Sequence, residues 1–171
     1  MGKTKYLILV VATTCFFSCS NKKFNPTFKS NIGNNGEWIN MQTIGKFGGH
    51  EDDICSKIDS LNPYSYGFQK LMSEISPNPI KKVKVSCWIK LENLTQKIGL
   101  VVSLDANNKN IFWIGHEINP LIKETNKWFK VEFEDKFPEF KPNETNVGIY
   151  VWNNNKNIAF VDDIEIKFLE E

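Results

Sequence analysis

The chain has 171 residues with 21 basic and 20 acidic side chains, which gives a formal net charge of +1. Every basic residue is a lysine, so the arginine fork that contacts phosphates and base edges through paired hydrogen bonds is missing. This balanced charge without arginine argues against nucleic-acid binding, and the length suits one domain with a sizeable core.

The N-terminus is predicted to be a targeting segment. Two lysines precede a largely apolar stretch over residues 6–17, which is too short to persist as a membrane-spanning helix. The sequence Phe16-Phe17-Ser18-Cys19 resembles the cleavage site of bacterial lipoproteins, in which the cysteine thiol accepts a diacylglycerol. This resemblance implies a signal peptide over residues 1–18, lipidation of Cys19 and a lipid anchor in the bacterial cell envelope. It does not distinguish the inner membrane from the outer membrane. The alternative is an ordinary secretory signal cleaved nearby, with Cys15 and Cys19 incidental.

Residues 19–35 are expected to form the lipidated N-terminus and a flexible tether. They are polar, contain Pro26 and several asparagines and lysines, and have no periodicity. Such a composition predicts a spacer between the membrane and a folded domain over residues 36–171.

From Glu37 onward the apolar residues alternate with a period near two, which predicts β-strands. Prolines and asparagine-rich turns fall between the alternating segments, as sheet hydrogen bonding requires. The fold class is therefore predicted to be all-β: an antiparallel β-sandwich of the jelly-roll type with about nine strands. For the segment Gln69–Ile75, a short helix is the alternative to a strand. The predicted strands are Glu37–Ile44, Asp53–Asp59, Tyr66–Ile75, Ile80–Glu92, Lys97–Asp105, Asn110–Ile118, Lys127–Glu134, Asn146–Trp152 and Ile158–Phe168.

Two alternating segments close the chain, Val147–Asn153 and Ala159–Phe168, and the polar turn between them predicts a β-hairpin. Their sequences, with Tyr-Val-Trp-Asn in the first and Val-Asp-Asp-Ile-Glu-Ile in the second, resemble the close of carbohydrate-binding-module-like jelly rolls, the galactose-binding-like sandwiches. Tyr64-Ser-Tyr-Gly-Phe68 and Val85-Ser-Cys-Trp-Ile-Lys90 extend the resemblance. It implies this fold for roughly residues 37–168.

The pair Asp162-Asp163 is a candidate metal site. Successive strand residues point to opposite faces, and Asp162 is in phase with Ile164 and Phe168, so Asp162 is predicted to be the buried one. A buried carboxylate needs a cation or several hydrogen-bond donors. The resemblance implies a structural calcium ion bound by Asp162, Glu37 and backbone carbonyls, with oxygens added by the 49–53 loop. The alternative is that Asp162 only caps strand-end amides.

Glycan binding is predicted on one outer face of the sandwich, where aromatic rings alternate with hydrogen-bonding groups. Trp113 and Tyr150 are the main candidates, because they are less tied to the family pattern than the other aromatic residues. The further candidates are Trp88 and Trp152 as aromatic platform, Ser103, Asp105, Lys90 and Glu132 as hydrogen-bonding groups, and Tyr64 and Tyr66 at a loop end. The alternative for Trp88, Trp128 and Trp152 is structural packing.

No nucleophile, metalloprotease or phosphate-loop motif supports catalysis, so the chain is expected not to be an enzyme. Cys55 and Cys87 are interpreted either as a disulfide or as free buried thiols. The leading functional hypothesis is a lipid-anchored, non-catalytic protein that binds a polysaccharide or cell-surface glycan. The alternative keeps the fold and makes the chain an interaction or scaffold lipoprotein that binds other envelope proteins.

Overall fold

The computed structural model describes residues 26–30, 38–95, 97–154 and 157–170. Over these ranges the chain forms eleven β-strands and three short 3₁₀ turns, and no α-helix. No helix in the described part is long and apolar enough to cross a membrane. The strands are β1 Thr27–Lys29, β2 Trp38–Ile39, β3 Ile44–Lys46, β4 Ile54–Ile58, β5 Gly67–Leu71, β6 Lys82–Leu91, β7 Ile98–Ala106, β8 Lys109–Glu117, β9 Trp128–Lys136, β10 Thr145–Asn153 and β11 Ala159–Leu169.

The strands form two antiparallel sheets that pack face to face. The first sheet has the order β3-β4-β11-β6-β9, with β1 alongside the later part of β11, and the second has the order β2-β5-β10-β7-β8. From β4 to β7 and again from β8 to β11 the chain crosses from one sheet to the other at each connection. The predicted antiparallel sandwich of the jelly-roll type is confirmed.

Three differences from the predicted strands are local. β1, Thr27–Lys29, lies within the predicted flexible tether and pairs with Glu165–Lys167 of β11. The predicted strand Glu37–Ile44 is divided into β2 and β3 by the 3₁₀ turn Met41–Thr43. The segment Gln69–Ile75 is a strand as far as Leu71 and then a single 3₁₀ turn, Met72–Glu74, so each of the two interpretations is correct for half of it.

The predicted C-terminal hairpin is wrong. β10 pairs with β5 and β7 in the second sheet, whereas β11 pairs with β4, β6 and β1 in the first. The chain between them passes over one end of the sandwich. Alternation and a polar turn predict two strands correctly, but they do not distinguish a hairpin from a crossover between sheets, because both place a polar turn between half-buried strands.

The core lies between the two sheets. It is formed by every second residue of each strand, the residues that face inward. On β6 these residues are Val83, Val85, Cys87, Ile89 and Leu91, and all of them are 1 % exposed or less. On β7, β10 and β11 the same alternation buries further aliphatic residues, namely Ile98, Leu100, Val102, Leu104, Val147, Ile149, Val151, Ile164, Ile166 and Phe168. The outward-facing residues of these strands are consequently free to form surface sites.

The two ends of the sandwich differ in what they carry. We call the end where β6 begins and β9 and β11 stop the tether end, because Pro26 lies there: its carbonyl oxygen accepts a hydrogen bond from the Phe168 N–H at 3.0 Å. The opposite end, where β6, β8 and β10 stop, is called the far end. It includes the loop that contains Leu94 and the 3₁₀ turn Asn119–Leu121.

Cys55 and Cys87 are free thiols, each with no exposed surface. Cys87 belongs to the inter-sheet core, whereas Cys55 lies near the Asp162 carboxylate on the outer side of the first sheet. A disulfide is therefore excluded by their positions on opposite faces, and the prediction of free buried thiols is confirmed.

Candidate functional site

The outer face of the second sheet brings together five of six candidate ligand-binding residues, the six being Trp113, Tyr150, Trp88, Trp152, Ser103 and Asp105. They come from three neighbouring strands: Ser103 and Asp105 from β7, Trp113 from β8, and Tyr150 and Trp152 from β10. In the register of the sheet, Ser103 is opposite both Trp113 and Gly148, and Trp152 is opposite Gly99. Because their inward neighbours are buried in the core, these side chains all project from the same surface.

Aromatic rings on this face meet edge to face in two pairs. The rings of Trp113 and Trp152 have centroids 6.3 Å apart with an interplanar angle of 81°, and those of Tyr64 and Tyr150 are 5.5 Å apart at 87°. Trp113 and Tyr64 are the more open members, at 50 % and 46 % exposed. Tyr64 lies in the loop between β4 and β5, and an isolated antiparallel bridge to Trp152 brings it to this face. The face therefore offers indole and phenol surfaces at right angles to one another.

Between the two tryptophans lies a slot with a volume of about 180 Å³. It opens towards the far end of the sandwich, where Lys97, Glu117 and Asn154 add polar groups to its rim. The slot is lined by Lys97, Ile98, Gly99, Val101, Trp113, Gly115, Glu117, Trp152 and Asn154. An apolar floor with aromatic walls and a polar rim is the arrangement that ring-shaped polar ligands need.

Glycines on the outward positions make room for these rings. A Cβ at Gly115 would lie 2.5 Å from the far edge of the Trp113 indole, so the ring occupies space that any other residue would fill. A Cβ at Gly67 would lie 2.7 Å from the Ile149 carbonyl oxygen and 2.9 Å from the Tyr150 Cβ. Glycine within a strand often marks such a close approach, and this signal in the sequence was missed.

Polar groups stand beside the aromatic rings. The Ser103 hydroxyl approaches Asp105 Oδ2 at 3.4 Å, and Asn110 Nδ2 donates to Asp105 Oδ1 at 3.1 Å. Burial raises the pKa of the Tyr150 phenol above its ordinary value, and a hydrogen bond with the Trp113 side chain opposes that rise. The Tyr150 hydroxyl is thus a neutral group that is able both to donate and to accept hydrogen bonds at this face.

Trp88, the sixth candidate, does not belong to this face. It lies on β6 in the first sheet, where its ring stacks on His50 at 3.6 Å, and His50 also meets Trp128 edge to face. Lys90, on the same outer surface, donates to the Gly48 carbonyl oxygen at 2.8 Å and lies 4.7 Å from the Trp128 ring centroid. The contacts of Trp88 and Trp128 with His50 and Lys90 are of the kind that the structural alternative predicts, and they hold the 47–53 loop against the sheet.

Two further candidates are also placed elsewhere. Glu132 lies on the first sheet and pairs with Lys84 at 2.8 Å. Tyr66 is 3 % exposed and stacks on Trp38 at 4.8 Å inside the sandwich. Neither contributes to the aromatic face, which leaves Tyr64 as the loop residue that joins it.

A β-bulge determines the position of Asp162. On β11, Asp162 is opposite Trp88 and Glu165 is opposite Ser86, so one extra residue is accommodated, and Asp163 takes a φ of 46°. Because of this extra residue Val161 and Ile164 both face the core, and Asp162 projects outward under the 47–53 loop. The prediction that Asp162 shares the buried side with Ile164, Ile166 and Phe168 is therefore wrong; the carboxylate is half-buried on the outer side.

The loop wraps closely around the Asp162 carboxylate. The His50 N–H donates to Oδ2 and the Asp163 N–H donates to Oδ1, each at 2.8 Å. A Cβ at Gly49 would contact the Ile54 carbonyl oxygen and lie 2.8 Å from Asp162 Oδ2 and 2.9 Å from the Asp52 carbonyl oxygen. Three oxygen atoms thus surround the position that a Cβ would occupy, so only a glycine fits at this point of the loop.

The charge balance at Asp162 favours a cation. Burial raises the pKa of Asp162 above 3.8, the two backbone donors lower it, and the carboxylates of Asp163 and Asp52 raise it again. A donor set of one carboxylate and two carbonyl oxygens is the oxygen-only chemistry that calcium prefers. These three oxygen atoms are fewer than the roughly six to eight that calcium takes, so an ion here would need further oxygen ligands such as water. Glu37, the other predicted ligand, lies outside the described residues, as does Cys19.

No protein-family model matches the chain, and no curated protein matches it by sequence. Among solved structures, the chain is similar to the CBM22-1–CBM22-2 tandem domain from Paenibacillus barcinonensis Xyn10C, with a TM-score of 0.57 and 16 % identity, covering 82 % of this chain and 49 % of that one. This chain therefore spans about half the length of the tandem domain. It is also similar to the CBM22-2 xylan-binding domain of the same protein, with a TM-score of 0.53 and 16 % identity, covering 85 % and 98 %. The expected likeness to carbohydrate-binding-module jelly rolls is confirmed for the fold.

Proposed function

We propose that the protein is a non-catalytic glycan-binding domain held at the bacterial cell envelope by a lipid on Cys19. The observation that carries the proposal is the face built by Trp113, Trp152, Tyr150 and Tyr64 over a glycine floor. Flat aromatic rings suit the C–H faces of pyranose rings, and neighbouring polar atoms suit the hydroxyl groups at their edges.

In this proposal the slot between Trp113 and Trp152 receives one sugar ring, and Tyr64 and Tyr150 contact the next part of the chain. Asp105 supplies acceptor oxygens for sugar hydroxyls on the same surface, whereas Ser103 is 5 % exposed and supports Asp105 by donating to its Oδ2. The aromatic pairs hold each other in place, so little side-chain freedom is lost on binding, which favours affinity. Trp88 is left out, because it lies on the other sheet.

Xylan is the first polysaccharide to test, because the similar CBM22-2 domain is described as xylan-binding. The experiment is affinity electrophoresis of the folded chain in gels containing xylan, other plant polysaccharides or none. The Trp113→Ala/Tyr150→Ala variant is expected to migrate in each polysaccharide as it does in the empty gel. Trp88→Ala is the matched control and should keep the retention of the wild type. If the folded double variant is retained as strongly as the wild type, this face is not the binding site.

The proposed anchor rests on the resemblance of Phe16-Phe17-Ser18-Cys19 to a lipoprotein cleavage site. A lipid on Cys19 would hold the domain at a membrane without a spanning helix, and the glycan would then be concentrated near that surface. Intact mass of the protein purified from membranes tests this point, since acylation adds the mass of the diacylglycerol and Cys19→Ser removes it. An unmodified mass at Cys19 would contradict it.

We propose a structural calcium ion at Asp162, with the Asp52 and Ile54 carbonyl oxygens as further ligands. The ion would supply the positive charge that a half-buried carboxylate beside two other carboxylates calls for. Its role would be to fix the 47–53 loop to the bulge of β11. Glu37 stays a candidate ligand from the sequence.

The scaffold alternative is favoured by a different observation. Leu61, Leu94 and Leu121 are 86 %, 41 % and 48 % exposed and belong to loops at the far end of the sandwich. A protein partner that binds at this end would cover these side chains. The electrophoresis distinguishes the two functions, because a scaffold would show no retention by any polysaccharide, with or without Trp113 and Tyr150.

A further inference from the structure

The tether end of the sandwich carries an open groove of about 590 Å³, outside the aromatic face. Its walls are the segment 79–82, which leads into β6, and the segment 136–142, which follows β9. Phe137 and Phe140 pack edge to face with their ring centroids 5.9 Å apart and form an apolar floor, and three prolines line the sides. The groove is therefore a preformed apolar surface at an end of the fold that the glycan site does not use.

The rim of this groove is basic. Lys81 and Lys136 are exposed there, and neither pairs with an acidic side chain in the part of the chain that the structure describes. Lys82 also lines the groove and pairs with Glu134 at 3.4 Å, and Glu139 is the acidic residue among the lining. Ammonium groups around an apolar floor are complementary to an anionic phospholipid headgroup, whose phosphate faces the lysines and whose glycerol faces the rings.

Backbone hydrogen bonds connect this groove to the start of the domain. The Phe168 N–H donates to the Pro26 carbonyl at 3.0 Å, and the Lys81 N–H donates to the Leu169 carbonyl at 2.9 Å. The Phe137 N–H in turn donates to the Lys81 carbonyl at 2.8 Å. Since neighbouring strands are about 4.8 Å apart, Pro26 lies roughly 10 Å from the groove wall.

The segment between Cys19 and Pro26 is short. Cys19 precedes Pro26 by seven residues, which span at most about 25 Å even when fully extended. Lys22 and Lys23 fall within this stretch and carry the same charge as the rim of the groove. A lipid on Cys19 would therefore hold Pro26 within about 25 Å of the headgroup layer, and the basic groove within about 35 Å of it.

We propose that the tether end docks on the headgroup layer of an anionic phospholipid membrane, through Lys81 and Lys136 on the rim and Phe137 and Phe140 in the groove. The inference rests on the lipidation of Cys19 in the proposed function. Docking at this end directs the far end, with the slot beside Trp152, away from the membrane. The glycan would then be bound on the side where polysaccharide is accessible.

The experiment couples residues 19–171 through Cys19 to a maleimide phospholipid in vesicles, so that docking is measured whether or not cells acylate that residue. Cys55 and Cys87 have no exposed surface, so the reagent reacts at Cys19. Hydrogen exchange followed by mass spectrometry then compares vesicles with phosphatidylglycerol and vesicles of phosphatidylcholine alone. We expect the amides of 79–82 and 136–142 to exchange at least fivefold more slowly on the anionic vesicles, and those of 119–126 to be unchanged.

Variants separate charge from anchoring. Lys81→Ala/Lys136→Ala should lower the docking equilibrium constant about 30-fold, since each lysine at an anionic surface contributes about 1 kcal/mol. Lys46→Ala/Lys123→Ala removes the same charge from exposed lysines away from the groove and should keep the protection. Equal exchange on both kinds of vesicle, or equal loss in both variants, would overturn the docking proposal. Loss of polysaccharide retention by the anchored wild type would count against the glycan site and leave docking standing.

Discussion

The indole of Trp113 covers Gly115, two residues along the same strand, and leaves no room for a side chain there. A Cβ at Gly115 would lie 2.5 Å from the outer edge of the ring and 3.2 Å from two of its neighbouring atoms. The ring edge is the far end of a side chain that is 50 % exposed, so it is able to move without disturbing the core. The conformation of the candidate binding residue thus depends on a neighbouring glycine.

Gly115→Ala is expected to displace Trp113 and to weaken polysaccharide retention at least tenfold, while the unfolding temperature changes by less than a few degrees. Gly45→Ala is the matched control, because a Cβ there would lie 2.6 Å from the exposed Phe47 ring, on the other sheet and away from the slot. Affinity electrophoresis and thermal unfolding of the two variants check this. Wild-type retention in Gly115→Ala would mean that the position of the Trp113 ring does not matter for binding.

Calcium is expected to raise the unfolding temperature of the wild type and to leave that of Asp162→Asn unchanged. An ion that binds only the folded chain stabilises it by about 2.7 kcal/mol at a concentration 100 times its Kd, which is roughly 5–10 °C for a domain of this size. Scanning calorimetry with calcium and with a chelator measures the difference. The same temperature for the wild type in both solutions would rule out a calcium site at this bulge.

Without calcium, the stability of the wild type relative to Asp162→Asn should increase as the pH falls from 7 towards 4. The folded-state pKa of Asp162 is raised, chiefly by burial, so protonation favours the folded chain. Its stabilising contribution is present below the ordinary pKa and is lost as the pH rises through the folded pKa. Calcium should reverse this trend, because the ion binds the carboxylate form. Urea unfolding at several pH values, with and without chelator, provides the comparison.

The alternation of apolar residues predicted which side chains point away from the core, because burial of one face of a strand imposes a period of two on its sequence. This was enough to place Trp113, Tyr150 and Trp152 on an outer surface, where their strands β8 and β10 flank β7 in one sheet. The same pattern did not place Trp88 correctly. Alternation indicates that a residue points outward, but it does not indicate to which of the two sheets the residue belongs. The assignment to sheets depends on contacts distant in sequence.

Asp162 shows a second limit of the alternating pattern. Val161 and Ile164 are both buried although they are three positions apart, because the bulge at Asp162 and Asp163 takes up one residue. A strict period of two therefore placed Asp162 on the wrong face. The two adjacent carboxylates in the strand were a usable signal, since such a pair is more easily accommodated where the ladder is interrupted.

The two buried thiols are expected to be unreactive in the folded chain. Burial and, to a smaller extent, the Asp162 carboxylate raise the pKa of Cys55 to about 11, and burial raises the pKa of Cys87 to about 12. Because the thiolate is the nucleophile, a disulfide reagent at pH 8 should modify Cys19 alone in the folded, unlipidated segment of residues 19–171, and all three of its thiols after unfolding. Rapid modification of Cys55 without denaturant would mean that the 47–53 loop opens readily.

His116 and Asp135 join the edge strands of the two sheets. His116 Nε2 lies 2.8 Å and 2.9 Å from the two carboxylate oxygens of Asp135, whose side chain is 7 % exposed, and the His116 ring stacks on Phe133 at 4.4 Å. His116→Phe keeps a ring for this stacking but leaves Asp135 buried without its partner. The free energy of unfolding should then fall by about 3 kcal/mol, as for other buried charges that lose a partner.

The double variant His116→Phe/Asp135→Leu distinguishes the loss of the pair from the loss of histidine itself. Removing both polar groups also removes the unpaired charge, so most of the stability lost in His116→Phe should return. Urea unfolding of the wild type, both single variants and the double variant closes this cycle. If His116→Phe alone unfolds at the wild-type urea concentration, the edges of the sandwich are held together by apolar packing, and the ion pair contributes nothing measurable.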